Sequence, residues 1–361
     1  MLYIGIDLGT SAVKLLLMEQ NGAIVNQISR DYPVRYPYPG WSEQNPEDWW
    51  QRVQEGISLL LKGQEAHKVK GIGVAGQMHG LVALDDAGQV IRPAILWNDS
   101  RTQPQTDQLN QNPGKVTLGR LTGNIAFAGF TAPKLLWMKE QEPNLFARIA
   151  KILLPKDYIN YRLTGVLSTD YSDASGTLLL DVEHGCWSQE MLDLCGLRED
   201  QLPPLHKSFE PIGTVKPDLA RRLGLPRGVT VCAGAGDNAA AAVGCGVVGP
   251  GGCNISLGTS RTVFITGKQF AVDPQNALHS FRHADGGYHL MGCILSAASC
   301  NQWWMENILH TKEYAEEQQF ICRDTLGSNP VYFLPYLMGE RSPHNDSTVR
   351  GAFFGLSMDT P

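Results

Sequence analysis

Short apolar runs separated by tight turns fill the first thirty residues: Tyr3 to Asp7, then Leu8-Gly9-Thr10-Ser11, Val13 to Met18, an Asn21-Gly22 pair, and Ala23 to Arg30. An Asn-Gly pair between two apolar runs is a hairpin signal, so the chain is expected to open as an antiparallel meander and not as a strand–helix–strand unit. The period then becomes helical. Trp50, Val53, Ile57 and Leu60 share one face, Asn45 stands as N-cap, Pro46 takes the first helical position, and Glu47 and Asp48 complement the positive end of the helix dipole. Lys70 to Ala75 reads as a buried strand. Helices are expected over 133–140, 144–152 and 157–163, the last closed by Gly165, and over 189–195 between the cap Ser188 and Gly196. From Val229 an apolar strand runs into Gly234-Ala235-Gly236-Asp237-Asn238 and an alanine-rich helix.

One pattern occurs twice. Leu8-Gly9-Thr10-Ser11 returns as Leu257-Gly258-Thr259-Ser260, each copy following one apolar strand and preceding another. That context suggests duplicated domains facing each other. The length of 361 residues agrees, because single cores stop growing at roughly 250 to 300 residues. Gly249-Pro250-Gly251-Gly252 marks the boundary, giving units of 1–248 and 249–361.

Composition narrows the chemistry. With 43% hydrophobic and 18% charged residues the chain is an ordinary globular one, and a net charge of −6 without a basic run argues against a nucleic-acid partner. No apolar run approaches the roughly 18 residues of a membrane helix, and Met1 to Asp7 carries no basic segment of the secretory kind. The eight cysteines form no C-x-x-C pair, so they are expected to be free thiols packed as small apolar groups in a cytoplasmic protein.

A Gly-Thr-Ser turn between strands offers backbone N–H groups and two hydroxyls to an anion, and two such turns across a cleft suit successive phosphates of a nucleotide. Asp7, just before the first turn, is placed to hold a Mg²⁺ or its waters; the equivalent residue in the second copy is Ser256. Three stretches satisfy the dinucleotide pattern, beginning at Gly71, Gly234 and Gly244. The first lies inside a strand, and the second lacks the acid expected about 20 residues on, which argues against a nicotinamide-dependent oxidoreductase. Asp237 stands at a strand end, where either a substrate hydroxyl or a plain N-cap role is open to it. Met78 and His79 follow a buried strand in the same way, and Trp97-Asn98-Asp99-Ser100-Arg101 offers polar groups suited to a polyol or to a bland loop.

Taken in order, several stretches resemble the FGGY family of carbohydrate kinases, in the actin and hexokinase fold superfamily. They are Ile4 to Ser11, Gly76-Gln77-Met78-His79-Gly80, Ile95 to Asp99 with Arg101, Gly129-Phe130-Thr131-Ala132-Pro133-Lys134-Leu135-Leu136-Trp137, Leu154 to Tyr158, Gly234 to Ala239, Ser256 to Ser260, and Phe333 to Tyr336 with Gly339 to His344. The resemblance implies an α/β, actin-like and ribonuclease H-like duplicated fold with a cleft between two domains. It also implies ATP-dependent phosphorylation of D-xylulose, with Mg²⁺, the Met78-His79 pair favouring a ketopentose over glycerol. Asp237 would be the base, Gln77, Met78, His79, Asp237 and Asn238 would line the sugar pocket, and Asp7 would organise the metal. Gly9, Thr10, Ser11, Gly258, Thr259 and Ser260 would cradle phosphates. A homodimer fits such a family. Family members continue well beyond Gly351-Ala352-Phe353-Phe354-Gly355-Leu356, so the resemblance implies an incomplete second domain without most of its adenine site. A kinase for another ketose or pentitol, and a sugar-binding fragment without catalysis, stay open as alternatives.

Overall fold

The computed structural model describes residues 1–258, 261–273, 275, 278–319, 327, 330–346, 348–358 and 360. The meander is present as β1 (Leu2–Leu8), β2 (Ala12–Glu19) and β3 (Ile24–Asp31), paired antiparallel in sequence. Along β1, Leu2, Ile4, Ile6 and Leu8 are buried in strict alternation, as one face of a strand against a core requires. Helix α1 (Pro46–Leu60) starts where the sequence places it, the Asn45 side chain accepting from Glu47 N–H. It packs across β2 and β3 through Trp49, Val53, Ile57 and Leu60. Gly56 makes that approach possible, since a Cβ there would stand 2.5 Å from a Leu15 methyl. Burying each of Val53, Ile57 and Leu60 contributes about 1.5 to 3 kcal/mol before chain entropy is subtracted.

Strand β4 (Val69–Gly76) inserts parallel to β1, with Asp7 opposite Ala75 and Leu8 opposite Gly76. Helix α2 (Thr131–Gln141) and helix α3 (Pro155–Thr164, closed by left-handed Gly165) follow, then β5 (Pro211–Thr214), β6 (Thr230–Cys232), β7 (Ala235–Gly236) and α4 (Asp237–Gly244). The sheet order is β5-β6-β4-β1-β2-β3, and β7 lies parallel to the end of β4 at Ala75 and Gly76. The carboxyl ends of β1, β4 and β7 therefore meet at one edge of the sheet. In open α/β sheets that is where ligands bind.

The second half carries an antiparallel sheet of β8 (Cys253–Leu257), β9 (Arg261–Gly267), β10 (His279–Arg282) and β11 (Tyr288–Ile294), in the order β8-β9-β11-β10. The repeated strand-turn-strand unit is reproduced with one difference of register. Leu8 pairs with Val13, whereas Leu257 pairs with Arg261, so the second turn is one residue shorter. Strand β10 is bound to the first half through Asn124, whose amide donates to Ser280 C=O (2.9 Å) and accepts from Ser280 N–H (3.1 Å).

Two expectations fail. The helix expected over 144–152 is a single turn, Pro143–Phe146, followed by a strand, Lys151–Leu153, which pairs with Val82–Leu84. A three-residue apolar run has no periodicity of its own, so its distant partner decides its state. The seven described cysteines are free, but Cys186, Cys245 and Cys253 are exposed and only Cys195, Cys293 and Cys300 are buried; Cys322 lies outside the described residues. Among the described residues no helix is long and apolar enough to cross a membrane.

Candidate functional site

Three chemical groups stand at the shared strand edge: Asp7 with the turn that follows it, the Gln77-Met78-His79 turn after β4, and Asp237-Asn238 opening α4. Asp237 is half-buried, and both the Asn238 N–H (2.7 Å) and the Asn238 amide (3.0 Å) donate to its Oδ1. Loss of water raises the Asp237 carboxyl to about 7, against the Asn238 N–H, and the negative charge of Asp7 raises it further. Asp7 is accessible to water, yet burial raises its own carboxyl too, with Lys14 across the strand pair opposing. Asn238 Oδ1 also accepts from the hydroxyl of Thr262 on β9 at 3.4 Å, which brings the second sheet to the same place.

Met78 and His79 are both buried, and Met78 belongs to the apolar cluster that includes Phe130 and Phe281. Gly176 and Gly236 leave room for this turn, since a Cβ at Gly176 would stand 2.4 Å from the His79 ring and one at Gly236 2.9 Å from the Met78 sulfur. His79 adopts φ +68, rare for a residue other than glycine. Its carbonyl accepts from Lys134 Nζ (2.8 Å) and Thr131 Oγ1 (3.1 Å), both on α2, and these bonds hold the turn. Its Nδ1 lies 2.7 Å from Gly176 C=O, which only accepts, so the proton sits on Nδ1 and Nε2 is an acceptor. Burial pushes the imidazole down to about 3, with Lys134 and Arg341 adding to the shift, and it is neutral at working pH. Phe130 stacks on it at 4.6 Å.

Lys134, fully buried, is a residue whose task the sequence motif did not reveal. Its Nζ donates to His79 C=O and to Gly129 C=O (2.7 Å), and burial pushes it down to about 7 although Asp99 favours its charge. Motif spacing ties Lys134 to Gly129 only; the bond to His79 joins residues 55 apart.

The Gly9-Thr10-Ser11 turn is braced from below. The Trp97 indole donates to Thr10 Oγ1 (2.9 Å), so the Thr10 hydroxyl proton is turned outward, and the Gln44 amide donates to Thr10 C=O (2.6 Å). Tyr32 O–H donates to Gly9 C=O at 2.5 Å, and Ser11 is exposed. Gln77 is fully buried with its amide on Gln44 Oε1 (3.0 Å), which also accepts from the Trp49 indole (3.0 Å). It braces this turn. In the second turn Gly258 is exposed and its carbonyl accepts from Ala298 N–H at 3.0 Å; Thr259 and Ser260 lie outside the described residues. The polyol reading of Asp99 and Arg101 is corrected: they form a buried two-pronged ion pair (2.9 and 2.7 Å), with the guanidinium 3.6 Å over Trp41 and 2.7 Å from Glu43. Only Asn98 and Ser100 of that stretch are exposed.

Comparison with known proteins meets this geometry from outside. Residues 2–244 match the N-terminal domain of the FGGY family of carbohydrate kinases, and residues 253–361 match its C-terminal domain. A xylulose kinase of Klebsiella pneumoniae is 43% identical over 366 residues, covering 99% of this chain and 73% of that protein. Among solved structures, a xyloylose kinase from Brucella ovis superposes with TM-score 0.94 at 42% identity, covering all of this chain and 74% of that one. A gluconate kinase from Lactobacillus acidophilus superposes with TM-score 0.93 at 28% identity, covering all of this chain and 73% of that one. Two family domains in order, the α/β fold, and a carboxylate whose neighbour Asn238 is bonded to the second sheet agree with one another, and the chain belongs to the FGGY family of carbohydrate kinases.

Proposed function

We propose that the protein transfers the γ-phosphoryl group of ATP to the terminal hydroxyl of D-xylulose, giving xylulose 5-phosphate. The observation that carries this reading is Asp237, a half-buried carboxylate raised to about 7 beside the Met78-His79 turn, in a chain 43% identical to a xylulose kinase. A base poised near neutrality accepts the hydroxyl proton while the oxygen attacks phosphorus, and phosphoryl transfer asks little more of a protein than this and correct positioning. Neutral His79 offers Nε2 to a sugar hydroxyl, Met78 and Phe130 give the pocket its apolar wall, and the Thr10 hydroxyl and the backbone after Asp7 face the phosphates. The boundary between the two halves falls in this reading at 248–249.

The donor set suits a hard divalent cation, because Asp7 and Asp237 both bring carboxylate oxygens to the shared strand edge, Asp7 opposite Ala75 and Asp237 directly after Gly236, which pairs with Gly76. Asp7 would hold Mg²⁺, largely through water, and the bound ion would neutralise charge on the phosphates. A neutral ketose suits this pocket better than an aldonate, since the two carboxylates repel an acid and Lys134 is already bound to two carbonyls. The test is ADP release by the full gene product with xylulose, ribulose, glycerol and gluconate. Xylulose should give the highest kcat/KM, and no xylulose-dependent ADP release would refute the assignment.

His79→Ala gives a second, sharper expectation. Removing an acceptor from a buried pocket leaves a sugar hydroxyl unpaired, a loss of about 1 to 3 kcal/mol, so KM for xylulose should rise about 5- to 150-fold. KM for ATP should hold, because the described partners of His79 are Gly176, Thr131, Lys134, Phe130 and Phe281, none of them in the Gly9-Thr10-Ser11 turn. A variant in which the ATP constant moves and the sugar constant does not removes His79 from the sugar site.

A further inference from the structure

Lys156, Asp157, Asp170 and Asp173 are all fully buried, with Lys156 Nζ 2.6 Å from Asp157, 2.9 Å from Asp170 and 3.7 Å from Asp173. Three acids around one lysine are a poor route to stability, because each ion has lost its water. What the cluster holds is more informative. Asp170 caps the helical turn Tyr171–Ala174, accepting from Ser172 N–H (2.9 Å) and Asp173 N–H (3.3 Å). Its Oδ2 also accepts from the hydroxyls of Ser172 (2.6 Å) and Ser208 (2.7 Å).

Those two serines grip the segment that leads into Asp237. Gly236 N–H donates to Ser172 Oγ (3.1 Å), and Gly234 N–H donates to Ser208 C=O (2.9 Å). Strand β7 is only two residues long and meets β4 at Ala75 and Gly76 alone, so few other bonds decide where Asp237 begins. The carboxylate of Asp170 can only accept, which forces the Ser172 proton toward it and turns the Oγ lone pairs to Gly236. Lys156 fixes the carboxylate in turn.

We propose that Ser172, oriented by Asp170 and Lys156, is a positioning residue for Asp237. This rests on the reading of Asp237 as the base. A displacement on the order of 1 Å at a reacting group costs about 10²-fold in rate, without any change in the groups that bind substrate.

Ser172→Ala in the full gene product should lower kcat about 10- to 100-fold while KM for xylulose and for ATP stays within about threefold. Ser172→Cys, close in size and a weaker hydrogen-bonding group, should fall between the two and serves if the alanine variant does not fold. In an Asp237→Ala background the Ser172→Ala change should cost about nothing further, because coupled residues are not additive. A Ser172→Ala enzyme with kcat within about twofold, or with the same fractional loss in the Asp237→Ala background, overturns the inference. An Asp237→Ala enzyme that keeps its rate overturns the base assignment instead.

Discussion

Asp237→Asn is expected to destroy catalysis and stabilise the fold in the same molecule. Loss of a general base typically costs about 10² to 10⁴ in rate. The stability effect follows from the raised carboxyl. In the folded protein Asp237 titrates at about 7, against roughly 3.9 in an unfolded chain, so between those values the folded state holds the proton more tightly. Folded-state stability from this group is present below pH 4 and is lost as pH rises through 7. Above 7 the native state carries an ionised, poorly hydrated carboxylate. Three units at 1.36 kcal/mol set a ceiling of about 4 kcal/mol, and half-burial reduces the expected gain to about 1 to 2 kcal/mol. Asparagine keeps an oxygen for Asn238 N–H and removes the charge. Denaturant unfolding in metal-free buffer should therefore show the variant more stable at pH 8 and level with the parent at pH 4. An equal difference at both pH values would contradict the linkage, and activity within tenfold of the parent would contradict the role.

The second large effect belongs to Gly234. Its φ of +77 is left-handed, and a Cβ built there lies 1.9 Å from the Val74 carbonyl oxygen and 3.0 Å from its carbon. Both obstacles are backbone of a central strand and cannot swing aside. Gly234→Ala should cost about 3 kcal/mol or more, well above the cost of φ alone, because β7 must leave β4. Gly224 gives the comparison: its φ is +72 after the helix Pro217–Leu223, and nothing lies within 4 Å of a Cβ. Gly224→Ala should cost only about 1 kcal/mol. Thermal melts of the two variants decide it. Similar losses would mean that backbone conformation, not the contact with Val74, governs Gly234. The activity of Gly234→Ala should fall with its stability, since Asp237 follows two residues after β7 begins.

Local sequence was enough for the opening meander, for α1 with its Asn45 cap, and for the Gly165 and Gly196 stops. These are decided by neighbours within a turn: a side-chain acceptor for an orphan N–H, a left-handed glycine, an Asn-Gly reversal. Motif order likewise carried the family, and it placed Asp7, His79 and Asp237 at strand ends, because a turn after a strand must present its residues there. Tertiary structure decided the rest. The strand Lys151–Leu153 exists only through Val82–Leu84, and the Asp99-Arg101 pair turned inward because Trp41 and Glu43, nearly sixty residues earlier, enclose the guanidinium. Lys134 reaches His79 across 55 residues, and Ser172 reaches Gly236 across 64. Spacing along a chain constrains bonds that close within a few residues; it is silent about which buried amine will meet which distant carbonyl. That choice is made only when burial removes water and every polar group must find a partner within the protein.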